Sequence, residues 1–136
     1  MRKTSDTILA LDVGEKRIGV ARGDTSVRLA SPLTTVLVDG SEYAAILKLC
    51  QQEQANLLVV GYPRNQSGEA TQQTAYVEKV AAVLAETGVS IVFQDESLTS
   101  VLAEEQLKRG KRPYQKADID ALAATIILQD YLEEQK

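Results

Sequence analysis

Apolar and polar positions fall into two kinds of segment along the chain. "TILALDV", residues 7–13, is an apolar run that ends on a carboxylate, and it predicts a buried strand. "RIGVARG", residues 17–23, predicts a second strand, with the turn "GEK" between them. Gly14 suits that turn through its tolerance of positive φ. "LTTVLV", residues 33–38, predicts a third strand, and short links between the three suggest an antiparallel meander. The period then changes. Tyr43, Ile46, Leu47 and Cys50 sit at i, i+3, i+4 and i+7, which predicts a helix with one apolar face and Ser41 as N-cap. "ANLLVVG", residues 55–61, is continuously apolar and predicts a strand buried on both faces. Val77, Val80, Ala81 and Leu84 mark a second helix, and "VSIVFQD" a fifth strand ending at Asp95. A third helix is expected from about Thr99 to Arg109, stopped by Gly110. The last, from about Asp118 to Glu133, is apolar nearly all round and should lie deep against the sheet. The order β-β-β-α-β-α-β-α-α implies an α/β fold: one five-stranded mixed sheet with helices on both faces.

Composition narrows the chemistry. The chain has 136 residues, room for one ordinary domain. Its 44% hydrophobic and 25% charged residues are those of a globular protein. There is no histidine, and Cys50 is the single cysteine. Ser-His and Cys-His catalytic pairs, histidine metal ligands and internal disulfides are thereby excluded. Acid–base or metal chemistry must come from carboxylates, lysines, tyrosines or Cys50. No signal peptide or membrane span is visible, so the cytoplasm is the expected compartment.

In open α/β sheets, ligands bind beyond the carboxyl ends of parallel strands. Asp12 ends the first strand, Gly61 to Pro63 the fourth, and Asp95 and Glu96 the fifth, while Asp118 and Asp120 open the last helix. If these ends share a rim, several carboxylates converge there with no basic partner among them. A hard divalent cation would relieve their repulsion. Each position also has a plainer reading. Asp12 could cap the hairpin turn, Asp118 and Asp120 could serve the helix N-terminus, and Asp95 and Glu96 could be a solvated strand end. Strand alternation allows only one of Asp95 and Glu96 to face Asp12. "KRGKRPYQK", residues 108–116, gathers five of the fifteen Lys and Arg residues. A helix C-terminus accounts for Lys108 and Arg109 but not for Lys111, Arg112 and Lys116, which suit a phosphate backbone.

Four segments together resemble one family. "LDVGEKRIGVA", "VVGYPRNQSGE", "QDESLTSVLAEEQL" and "KADIDALAATIILQDYL" are similar, in order, to the motifs of the YqgF-type proteins. That family is ribonuclease H-like, related to Holliday-junction resolvases, and associated with nuclease processing of the 5′ end of pre-16S ribosomal RNA. The resemblance implies a ribonuclease H-like fold over residues 1–136 and an Asp, Glu, Asp site for Mg²⁺ or Mn²⁺. By position these are Asp12, Glu96 and Asp120, with Lys16 and Arg17 near substrate phosphates. Ser97 stands where the family has arginine, which implies weaker or differently organised phosphate binding. Tyr62 replaces a leucine in the Gly-Leu-Pro loop.

The expected function is a metal-dependent nuclease on structured pre-ribosomal RNA. The alternatives are a resolvase of four-way DNA junctions, and a non-catalytic nucleic-acid-binding module in ribosome maturation. A resolvase cuts two strands symmetrically and should be a homodimer, whereas the RNA nuclease could act as a monomer. An actin-like ATPase, prompted by the Asp-x-Gly opening, would need two copies of the fold, and the chain has room for one.

Overall fold

The computed structural model describes residues 6–63, 72–96, 105–110, 113 and 115–134. The strands are β1 (Thr7–Val13), β2 (Arg17–Asp24), β3 (Ala30–Leu37), β4 (Leu57–Pro63) and β5 (Ser90–Glu96). The helices are α1 (Glu42–Glu53), α2 (Gln72–Ala85), α3, described over residues 105–109, and α4 (Lys116–Glu134). The sheet order is β3-β2-β1-β4-β5. β1 pairs antiparallel with β2, and β2 with β3, while β1, β4 and β5 run parallel.

Alternation along β1 sorts its side chains between two cores. Leu9, Leu11 and Val13 join Ile18, Val20, Leu58 and Val60 beneath α1 and α2. Ile8 and Ala10 join Ala21 and Val59 beneath Ala124, Ile127, Leu128 and Leu132 of α4. β4 lies between β1 and β5 and runs parallel to both, so both its faces are covered, and Leu58, Val59 and Val60 are fully buried. At the β5 edge the cover thins. Phe93 is 46% exposed and meets Tyr62 edge to face, with ring centroids 5.0 Å apart.

Two local expectations change. Gly14 is not in the left-handed region; among the described residues the positive-φ glycines are Gly40 and Gly88. Gly14 is needed for close approach, because a Cβ there would lie 2.7 Å from the Arg17 carbonyl oxygen. That closeness accompanies the Gly14 N–H bond to the same carbonyl at 3.0 Å, which closes the hairpin. Ser41 does occupy the N-cap position of α1, but its hydroxyl makes no cap bond and donates to Asp39 Oδ1 at 2.5 Å. Glu42 instead accepts the Gly40 N–H. No described helix is long and apolar enough to cross a membrane.

Candidate active site

The parallel strands bring the carboxyl ends of β1, β4 and β5 to one rim of the sheet. Asp12, next to last in β1, follows Ile8 and Ala10 on the α4 face and is partly buried. Its cross-strand partner on β2 is Gly19, and the partner of Gly19 on β3 is Thr35. The start of α4 lies over this row. A Cβ at Gly19 would come within 1.9 Å of the Asp120 carbonyl oxygen and 2.8 Å of the Ala121 nitrogen. Thr35 Oγ1 donates to the Ala117 carbonyl at 2.8 Å. Asp12 and Asp120 are thus neighbours on one face, separated by a residue that has no side chain.

Arg17 completes the arrangement. Its Nε donates to Asp120 Oδ2 at 2.6 Å, with the two side chains 30% and 21% exposed. The expectation that no cation stands among the carboxylates is therefore corrected. Arg17 opens β2 two residues before Gly19, so alternation puts it on the α4 face and within reach of Asp120. This guanidinium is bound to the Asp120 carboxylate, whereas Lys16, in the exposed turn of the hairpin, makes no ion pair with a described residue.

Asp118 and Asp120 divide the two roles open to them. Asp118 Oδ2 accepts the Gln115 N–H at 2.8 Å, closing the first turn of α4 as a capping contact. Asp120, two residues on, turns to Arg17. Lys116, the first residue of α4, is exposed. Lys111 and Arg112 lie outside the described residues, as do Ser97 and most of the "VVGYPRNQSGE" loop.

The choice between Asp95 and Glu96 turns on the alternation of β5. Ile91 packs in the α1/α2 core and Val92 in the α4 core. Gln94 Nε2 donates to Glu134 Oε1 of α4 at 3.2 Å. Asp95 therefore belongs to the α1/α2 face, beside Tyr62 and Glu78. The side chain of Glu96 is outside the described set. Among the described residues, no three His, Cys, Asp or Glu side chains come together as a metal cluster. The two acidic residues placed beside Gly19, Asp12 and Asp120, carry carboxylates, the hard oxygen groups that Mg²⁺ and Mn²⁺ take as ligands.

Further contacts hold the rim in place. Gln73 Nε2 at the start of α2 donates to the Val13 carbonyl at 2.8 Å, and Thr74 Oγ1 to the Pro63 carbonyl at 2.6 Å. One helix end thus ties down the ends of both β1 and β4. Sequence reasoning passed over Gly19 and Thr35. Gly19 carried a signal, since a glycine inside a strand pattern marks close approach of another backbone.

Comparison with known proteins bears on this geometry. The family model described as "RuvX: Holliday junction resolvase" matches residues 6–134. The chain belongs to this family. A Chloroflexus aurantiacus protein named "Putative pre-16S rRNA nuclease" is 44% identical over 134 residues, covering 95% of this chain and 88% of the relative. A Synechocystis protein of the same name is 43% identical over 130 residues, covering 92% and 86%. The resemblance carried by the four segments is borne out. Solved structures agree on the fold. T. thermophilus RuvC in complex with a Holliday junction substrate has a TM-score of 0.58 at 18% identity, covering 96% of this chain and 95% of its own. The fowlpox virus resolvase in complex with Holliday junction DNA has a TM-score of 0.54 at 10% identity, covering 94% and 97%. The RuvX-family chain thus has the ribonuclease H-like fold of the RuvC-type resolvases.

Proposed function

We propose that this chain is a metal-dependent nuclease of the cytoplasm that processes the 5′ end of pre-16S ribosomal RNA, acting as a single ribonuclease H-like domain. The observation that carries the reading is the placement of Asp12 beside Gly19, with the Asp120 backbone lying directly over Gly19, at the carboxyl rim of the parallel strands. Asp12 and Asp120 would hold Mg²⁺ or Mn²⁺, with Glu96 as the third ligand from β5. Such an ion supplies charge neutralisation and polarisation at the scissile phosphate.

The chain's own residues set the geometry. Asp12 is fixed by a strand paired on both sides, and Asp120 by α4 and Arg17. The exposed Lys16 and Lys116 supply positive charge for the RNA backbone at this rim, and the sequence assigns Lys111 and Arg112 the same role. Cleavage of a labelled precursor-rRNA 5′ fragment, with Mn²⁺, Mg²⁺ or EDTA, tests the reading. Wild type should cut only with metal. Asp12→Asn should not cut at all, while unfolding at or near the wild-type midpoint. Full activity of that variant, free of host nuclease, would remove Asp12 from the site.

The family description favours a second substrate, the four-way DNA junction. The same carboxylates would serve it, but paired cuts need two sites and hence a homodimer. Junctions left intact by a monomer that cleaves RNA would exclude it.

A further inference from the structure

We infer that Arg17 is a positioning residue for Asp120: an internal counter-ion that holds this carboxylate in the metal-free protein and competes with a divalent cation for it. This rests on the reading of Asp12 and Asp120 as metal ligands. Three features support it. First, the contact is short and shielded. Arg17 Nε and Asp120 Oδ2 are 2.6 Å apart, and both side chains are more than two-thirds covered. Second, Arg17 is not free to drift. Its backbone pairs with Leu37 of β3, and its carbonyl accepts the Gly14 N–H. Third, the ion pair spans elements 103 residues apart in sequence, and it joins the hairpin beside Asp12 to the first turns of α4.

The charges explain why such a residue is needed. Two carboxylates on one face repel each other when no cation lies between them. Arg17 offsets that repulsion before metal arrives. Its bond uses Nε and one oxygen, Oδ2, rather than the two-pronged fork that arginine forms with a carboxylate at full strength. A single-point contact engages Oδ2 of Asp120 and makes no use of Oδ1. The neighbouring lysine has the other task. Lys16 lies in the exposed turn, placed for substrate phosphate, while Arg17 faces inward to a ligand. The "KR" pair therefore splits into an outward and an inward charge, which the sequence alone does not separate.

The test measures Mn²⁺ binding by calorimetry and binding of a precursor-rRNA fragment in EDTA, beside the thermal midpoint with and without Mn²⁺, for wild type, Arg17→Gln, Arg17→Lys and Asp12→Asn. Removing a nearby positive charge should tighten Mn²⁺ binding roughly tenfold in Arg17→Gln, a conservative figure for a partly screened pair. The metal-free midpoint should fall, and the rise on adding Mn²⁺ should exceed that of wild type. Arg17→Lys keeps the charge and should bind Mn²⁺ within a few-fold of wild type. Lower stability with unchanged or weaker Mn²⁺ binding in Arg17→Gln would reduce Arg17 to a structural clasp and overturn the inference. Unchanged Mn²⁺ binding with weakened RNA binding would make it a phosphate contact instead, and also overturn it. The underlying site reading fails separately, if wild type binds no Mn²⁺ or Asp12→Asn binds it equally well. The competition would then fall too, and the ion pair would remain only a structural link.

Discussion

Gly19 controls how closely α4 approaches the sheet, and through that the distance between the two carboxylates. A methyl group at this position would overlap the Asp120 carbonyl, which belongs to a helix backbone and cannot rotate aside. Gly19→Ala should therefore cost about 3 kcal/mol, the upper end for overpacking, and should impair cleavage along with stability. Urea unfolding of the variant, beside its cleavage rate, checks both. The opposite case is Cys50, buried on the inner face of α1. Burial raises its thiol above the ordinary range, with the backbone hydrogen bond acting weakly the other way. A folded-state pKa above the unfolded one means that the native state binds the proton more tightly. The associated stability is complete below the unfolded thiol pKa and is lost as pH rises toward the folded one. Native protein should accordingly resist thiol reagents at neutral pH and react on unfolding. Rapid native labelling, followed by a colorimetric thiol reagent, would contradict this burial.

At the scale of elements, α2 does more than cover the sheet. Thr74 is fully buried at its first turn and donates to the Pro63 carbonyl, while Gln73 reaches Val13. Thr74→Val keeps the shape but drops the hydroxyl. It should cost about 1–3 kcal/mol, the penalty for leaving buried polar groups poorly satisfied, measurable as a lower denaturant midpoint. The elements themselves were legible in sequence because apolar periodicity is a short-range signal. β1 was read at its observed limits, and α4 began two residues earlier than expected because Asp118, read as its opening residue, sits inside the first turn and accepts the Gln115 N–H. The placement of the start of α4 at the same rim as Asp12 could be anticipated from strand ends and motif order. Other features depend on tertiary contacts that no local pattern records. The reach of Arg17 to Asp120 spans the chain, and the need for glycine at position 14 comes from a carbonyl three residues on. Ser41 was misread for a related reason, since its hydroxyl had a competing acceptor in Asp39.

For the molecule as a whole, charge poses a problem that placement resolves. The chain carries a formal net charge of −4, so an RNA backbone meets overall repulsion at long range. Binding must then come from local positive charge at the site rim, where Lys16 and Lys116 are exposed, offset against the site's own carboxylates. Salt has two opposing effects in this setting. It screens the long-range repulsion, and it weakens contacts that depend on counterion release. Close contacts dominate once RNA is seated, so affinity for the precursor fragment should fall as salt rises. The slope of log affinity against log salt then counts the phosphates engaged. Lys16→Ala should weaken binding to RNAs of different sequence by a similar factor, and make that slope shallower by about one unit or slightly less. Filter binding across a salt series, with EDTA present to stop cleavage, measures the slope directly. An unchanged slope in Lys16→Ala would take Lys16 out of the interface and leave the basic residues 108–116 to carry the phosphate contacts.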